Sequence, residues 1–259
     1  MPCITGKHVA LQAPRNAGSE FYNYKGFHSI VLMAMCDAKY RLTIVDIGAA
    51  GRESDGGVFA RSQFGQMFIS EQLAIPKCAN LPGTAITVPL VAVADAAFPM
   101  RSNLMKPYGG KKLSAEQQIF NYRLSRARRC IENTFGIMAA RWRILRRSII
   151  CHPERAVAYV RAICVLHNYL QLQDDERPAG QRLYCPPGLA DAFNADGSIT
   201  PGRWRADDDG NAFLNRPLTT APSNRYSTVA ANVRENLTKY FVSNEGAVNW
   251  QNKAVFSTN

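Results

Sequence analysis

Apolar runs of strand length organise the first half of the chain. Residues 6–12 read as a strand, residues 27–36 form a continuous apolar run, and residues 40–48 return after a short turn. Because short turns join antiparallel neighbours, these segments predict three antiparallel strands, the second buried on both faces. A further apolar run at residues 86–94 predicts another strand, which ends at Asp95.

Helical spacing marks the segments between and after these strands. Residues 55–68 have apolar side chains at helical intervals, and Asp55 suits the N-cap of that helix. Residues 121–147 predict one long helix, and a further helix begins at Pro153. The buried stripe predicted for the long helix is Leu124, Ile131, Phe135, Met138, Trp142 and Leu145. Strands followed by helix, strand and helix predict an α/β fold: a mixed sheet with an antiparallel hairpin side, flanked by helices.

Periodicity fades after residue 172. Residues 173–228 are rich in Asp, Pro, Gly and Arg and predict a loop or a mobile tail, whereas residues 229–259 predict a short C-terminal helical element. Three successive aspartates at 207–209 are expected to be solvated, because consecutive side chains cannot all point toward one ion. The expected organisation is therefore one main domain at residues 1–172 followed by these two smaller parts.

The positive charge of the chain is concentrated in one region. The formal net charge is +11, and residues 106–147 contain eleven Lys or Arg against two Glu. Such a region favours a polyanionic partner, nucleic acid rather than membrane, since no lipid-anchoring motif accompanies it. The alternative is an ordinary solvated helix surface with local ion pairs. The residues expected to bind phosphates are Arg123, Arg126, Arg128, Arg129, Arg141, Arg143, Lys111 and Lys112.

Two acidic residues stand where a catalytic site would need them. Asp95 follows a buried strand, and Glu132 lies on the basic helix beside the buried Ile131. If that helix packs back on the sheet, the two carboxylates can converge and hold Mg²⁺ or Mn²⁺ through oxygen ligands. An aspartate at a strand end is more often a turn residue, so spacing alone leaves both interpretations open.

The order of several motifs resembles the PIF/Harbinger branch of DDE transposases, over about residues 4–172. The motifs are GKHVALQAP at 6–14, FHSIVLMAMCDAKYRLTIVDIGAAGRESDGGVF at 27–59, ADAAFPMRSNLMKPYGG at 94–110, NYRLSRARRCIENTFGIMAARWRIL at 121–145 and VLHNYL at 165–170. The resemblance implies an RNase H-like core that cleaves DNA with a divalent metal and a triad of acids. It assigns the second acid to Asp95 and the third to Glu132. Asp55 competes for the second position or supports the site.

The chain departs from the family pattern at the first acid. Thr5 stands where family members usually have Asp, and a neutral hydroxyl is a poor ligand for Mg²⁺. Three interpretations stay open: a metal-dependent DNA endonuclease impaired at Thr5, a domesticated DNA- or protein-binding module without catalysis, and a truncated or decayed copy. The chain is expected to lack the upstream helical segment with which the family contacts DNA. From a DNA substrate we expect a location in the nucleus and also in the cytoplasm, and a protein partner that supplies DNA specificity.

Overall fold

A computed structural model describes residues 2–73, 78–206 and 226–256. The strands are β1 (Cys3–Ala10), β2 (Ser29–Cys36), β3 (Leu42–Ala50), β4 (Cys78–Asn80), β5 (Thr87–Pro89), β6 (Ala92–Val93), β7 (Leu104–Met105), β8 (Ala192–Phe193) and β9 (Ile199–Thr200). The α-helices are α1 (Asp55–Arg61), α2 (Gln63–Ile69), α3 (Ala115–Arg141), α4 (Pro153–Asp175), α5 (Thr228–Val242) and α6 (Gln251–Phe256).

A mixed five-stranded sheet forms the centre of the fold, in the order β3-β2-β1-β6-β7. β1 pairs antiparallel with β2, and β2 with β3, whereas β6 pairs parallel with both β1 and β7. Every residue of β2 is buried, which confirms the predicted antiparallel group and its two-sided burial. With helices flanking this sheet, the predicted α/β class is confirmed and the architecture is consistent with an RNase H-like fold.

The apolar run at residues 86–94 is two short strands, so the prediction of one strand is wrong. β5 pairs with β4 in a separate two-stranded sheet, and β6 joins the central sheet. Pro89, the last residue of β5, has no backbone N–H to donate, so the pairing does not continue through it. The consequence for function is that Asp95 lies just beyond β6, next to the middle of the central sheet.

The basic helix α3 packs its apolar stripe on this sheet. Ser114 caps it in a capping box with Gln117, which fixes its start well before residue 121. Leu124, Ile131 and Phe135 are buried in the same core cluster as β1 and β2. The helix ends at Arg141 and a 3₁₀ turn at Arg143–Arg146 follows, so the predicted single helix over 121–147 is wrong for residues 142–147.

Residues 176–206, part of the segment predicted as a loop or a mobile tail, are irregular but partly packed against α3. Tyr184, Leu189 and Trp204 form a buried cluster with Ile137 of α3. Residues 207–225, with the aspartates 207–209, lie outside the described residues. The helical element predicted near the C-terminus corresponds to α5 and α6, and α5 packs on α3. The domain limits stay a prediction. In the described ranges, no helix has the length and apolarity needed to cross a membrane.

Candidate active site

Thr5 and Asp95 meet where β1 and β6 run side by side. Thr5, the third residue of β1, is buried, and its hydroxyl donates to Oδ2 of Asp95 at 3.3 Å. The other carboxylate oxygen of Asp95 accepts from the backbone N–H of Ala97 at 2.9 Å, which fixes the turn after β6. The residue that replaces the expected first acid therefore contacts the second acid directly.

Asp55 belongs to the same group of side chains. It is the first residue of α1, while Ser54 is the N-cap, so the predicted capping role of Asp55 is wrong. A Cβ atom on Gly6 would lie 2.2 Å from Oδ1 of Asp55, so only glycine lets the carboxyl approach β1 this closely. Burial raises the pKa of the Asp55 carboxyl to about 6, and the negative charge of Asp95 adds to this effect. A backbone hydrogen bond from Gly6 acts in the opposite direction and lowers that pKa. Asp55 thus lies beside Thr5 and Asp95.

Glu132 lies on α3 and has a cationic partner. Its Oε2 atom is 3.7 Å from Nη2 of Arg205, and Arg128, one helical turn earlier, brings its Nη2 to 4.0 Å from Oδ2 of Asp95. Each of the two predicted catalytic acids therefore has an arginine beside it. Among the described residues, no group of three or more His, Cys, Asp and Glu side chains is close enough to hold a metal ion. The structure thus does not gather Asp55, Asp95 and Glu132 into one ligand set.

The donor chemistry nevertheless fits a hard divalent cation. Asp55 and Asp95 supply carboxylate oxygens, the ligands that Mg²⁺ and Mn²⁺ prefer. The raised pKa of Asp55 reflects burial and the nearby charge of Asp95, and a cation held by these residues would offset the repulsion between the two carboxylates and stabilise the charged form of Asp55. Thr5 can add only a neutral oxygen. Asp55 places a carboxylate against Gly6, next to Thr5 on β1.

Four of the arginines expected to face phosphate groups have internal partners instead. Arg123 donates to Gln251 at 3.0 Å, and Arg126 donates to the carbonyl of Gly197 while its guanidinium lies over the ring of Trp250. Arg129 pairs with Asp191 at 3.2 Å. Arg141 donates to the carbonyls of Tyr184 and Leu183 at 2.6 and 2.7 Å. These contacts fasten α3 to the C-terminal part of the chain.

The other predicted phosphate ligands are placed differently. Lys111 and Lys112 are exposed in the loop before α3, and Arg143 is exposed just after it. Arg128 is the member of the set nearest the acids. DNA binding by any of these residues stays a prediction.

Sequence reasoning missed three residues that shape the site. Gly6 makes room for Asp55, and a glycine inside a strand is a signal of such a close approach. Lys106 is buried just after β7, and burial, with the positive charge of Arg234, lowers the pKa of its ammonium group. The negative charge of Asp95 acts in the opposite direction, which places Lys106 near Asp95. Arg205 lies in the aperiodic segment after α4, where no pattern links it to Glu132.

A mixed sheet with acids beside its central strands and a Glu-bearing helix is the arrangement expected of a DDE nuclease. A model of the DDE superfamily endonuclease family matches residues 4–168, and this chain belongs to that family. The predicted resemblance to DDE transposases is confirmed. No solved structure matches the chain at a significant level.

Relatives in animals and plants support the same assignment. Proteins named "Putative nuclease HARBI1" from Mus musculus and Homo sapiens are each 29% identical over 175 residues, which is 65% of this chain and 46% of the relative. "Protein ALP1-like" from Arabidopsis thaliana is 28% identical over 166 residues, 60% of this chain and 39% of the relative. The chain thus spans less than half the length of these relatives.

Proposed function

We propose that this chain is a transposase-derived DNA endonuclease domain that hydrolyses phosphodiester bonds with Mg²⁺ or Mn²⁺. The observation that carries the proposal is the grouping of two acids at β1: the buried carboxyl of Asp55 lies against Gly6, and Asp95 accepts a hydrogen bond from Thr5, the residue that replaces the first acid. Asp55 and Asp95 would hold the metal, and Glu132, which lies beside Arg205 in the structure, would have to turn toward them to become a third ligand. Family membership and the names of the nuclease relatives support the reaction class.

The residues of the chain have separable roles in this proposal. A divalent cation held by Asp55 and Asp95 would supply the positive charge that makes a water molecule more acidic and offsets the charge on the leaving oxygen. The Thr5 hydroxyl orients Asp95 through its hydrogen bond, and Gly6 admits Asp55 to the same place. Arg128, which already lies beside Asp95, would attract the phosphate group that approaches these acids.

DNA is the proposed substrate, and the nucleus is its proposed location. Lys111, Lys112 and Arg143 are exposed and would bind backbone phosphates without reading sequence. A partner protein would then supply specificity for the DNA site. Arg123, Arg126, Arg129 and Arg141 are less suited to this role, because each would first have to leave an internal partner.

The test is nicking of supercoiled plasmid with Mn²⁺ by the wild-type chain, Thr5→Asp and Asp95→Asn. A third carboxylate supplies more negative charge for the metal, so we expect Thr5→Asp to cut at least about tenfold faster, the gain expected if the first acid limits the reaction. Asp95→Asn should abolish cutting by either form. Thr43→Asp, which adds the same charge on β3, serves as the matched control. If Thr5→Asp folds but cuts no faster than Thr43→Asp, the assigned geometry is wrong.

A second candidate is a DNA- or protein-binding module that has lost catalysis. Arg128 beside Asp95 and Arg205 beside Glu132 favour it, because both acids already have cationic partners. This function predicts salt-sensitive DNA binding that neither Mg²⁺ nor Glu132→Gln changes. Binding measured by fluorescence anisotropy with and without Mg²⁺ separates the two functions, since a metal-dependent site must respond to both changes.

A further inference from the structure

The segment at residues 184–206, here called the arm, is anchored to α3 by two residues of that helix. Asn133 accepts hydrogen bonds from the indole N–H of Trp204 at 2.9 Å and from the backbone N–H of Asp191 at 3.1 Å. Gly136 leaves space for the Trp204 ring, because a Cβ atom there would lie 2.2 Å from it. The arm is thus held in a fixed register along α3.

A buried aspartate of the arm fixes the position of Arg205. The side chain of Asp191 is fully buried, and it accepts from Nε and Nη2 of Arg205 at 2.8 and 2.6 Å. The Gly202 backbone N–H and Arg129 also donate to it, at 2.9 and 3.2 Å. A bidentate pair with a buried carboxylate has a defined geometry, so the guanidinium of Arg205 is held in one place.

The same guanidinium reaches the predicted catalytic helix. Nη2 of Arg205 lies 3.7 Å from Oε2 of Glu132, and Glu132 is partly exposed, with 28% of its side chain accessible. We propose that Arg205 is a positioning residue that holds the Glu132 carboxylate while no metal is bound and competes with a divalent cation for it. The arm therefore sets the metal affinity of the site.

This inference rests on the proposed function, because it needs Glu132 to be a metal ligand. A guanidinium and a divalent cation repel each other, so Glu132 cannot serve both at full strength. The pair is partly solvated, which limits the effect of removing Arg205. We expect Arg205→Gln to bind Mn²⁺ about three- to tenfold more tightly than the wild-type chain, a gain that shrinks as the salt concentration rises.

The experiment is a calorimetric titration of the full chain with Mn²⁺ alone. Arg203→Gln is the matched control, because Arg203 is exposed on the same 3₁₀ turn and its loss changes the net charge equally. If loss of Arg205 leaves Asp191 too weakly paired for folding, the double variant Asp191→Asn with Arg205→Gln removes both charges together. Thermal unfolding identifies which variants are folded.

Tighter Mn²⁺ binding by either Arg205 variant, with Arg203→Gln unchanged, supports the role of Arg205. A purely structural role would weaken binding or leave it unaltered. Equal Mn²⁺ affinity of the wild-type chain and the folded variants overturns the inference while the proposed function stands. If neither the wild-type chain nor any folded variant binds Mn²⁺, the inference and the metal-dependent function both fail.

Discussion

The surroundings of Asp55 disfavour the charged form of its carboxyl group. Burial and the charge of Asp95 raise the pKa of its carboxyl to about 6, whereas an unfolded aspartate titrates near 3.9. The folded state therefore binds the proton more tightly, so this group lowers stability as the pH rises from about 4 to 6. Above pH 6 the charged Asp55 carboxyl destabilises the folded state by its full amount. Such perturbed pKa values are common at functional sites.

We predict that Asp55→Asn is more stable than the wild-type chain at pH 7, by about 1–3 kcal/mol, because the amide carries no charge to bury. The gain should disappear below about pH 4, where the aspartate is protonated. Urea unfolding at both pH values measures this, with Glu71→Gln on the exposed surface as the control. A loss of stability at pH 7 would show that Asp55 has a stabilising partner.

The close approach of Asp55 to Gly6 predicts that a larger residue at position 6 destabilises the fold. A methyl group at this position would lie 2.2 Å from the Asp55 carboxyl, so we expect Gly6→Ala to destabilise the chain by about 1–3 kcal/mol. In an Asp55→Ala background the same change should cost much less, because the opposing oxygen is gone. Gly180→Ala, where a Cβ meets open space, is the control. Equal costs of Gly6→Ala in both backgrounds would contradict the close approach of Asp55.

The acids at this site differ in how well the sequence predicts them. Asp95 can be found because an apolar run ends at it, and Glu132 because one acid interrupts a basic helix stripe. The position of Asp55 beside Thr5 depends on how α1 returns to β1, which no local pattern specifies. The contact of Arg205 with Glu132 is harder still to predict from the sequence, since Glu132 lies on another element and the arm has no periodicity.

At the scale of elements, the packing of the arm on α3 reverses an ordinary helix rule. Alanine normally stabilises a helix relative to glycine by about 1 kcal/mol. Gly136 is buried in α3 against Trp204, and a Cβ there would meet the indole ring at 2.2 Å. We predict that Gly136→Ala destabilises the wild-type chain but stabilises a Trp204→Ala background. Chemical unfolding of the four proteins measures the sign, and one sign in both backgrounds would contradict the docking of the arm.

The elements themselves were predictable to different degrees. The β1–β2–β3 group and the starts of α4 and α5 follow from apolar runs, Pro153 and helical spacing. The division of residues 86–94 between two sheets depends on Pro89 and on which partner strand is near, and the second of these is a tertiary property. The packing of residues 176–206 rests on isolated contacts such as the Trp204 indole with Asn133, and single contacts leave no periodic pattern.

At the scale of the whole molecule, two buried histidines make stability depend on pH. His8 bonds the Ser29 hydroxyl at 2.9 Å, and His167 bonds the Tyr184 hydroxyl at 2.6 Å and the carbonyl of Tyr40 at 2.7 Å. Burial lowers the pKa of both imidazoles to about 4, and for His8 the nearby Lys25 and Lys7 add to the effect. Both rings are therefore neutral in the folded chain at neutral pH.

An unfolded histidine titrates near pH 6.5, so between about pH 6.5 and 4 the unfolded state binds more protons than the folded one. We predict that the free energy of unfolding falls over this range as the pH decreases, by at most about 3 kcal/mol for each histidine. Asp55 acts in the opposite direction between pH 6 and 4, but one carboxyl offsets only part of the effect of two imidazoles. Urea unfolding as a function of pH measures the net slope.

His167→Gln tests which groups cause that slope. Glutamine does not titrate, so the variant should lose about half of the histidine contribution to the pH dependence even if it is less stable at every pH. His152→Gln is the matched control, because His152 is exposed at the start of α4 and its side chain is 73% accessible. If the pH dependence of the unfolding free energy is the same in His167→Gln as in the wild-type chain, His167 is not neutral in the folded state. That result would contradict its burial against Tyr184 and Tyr40.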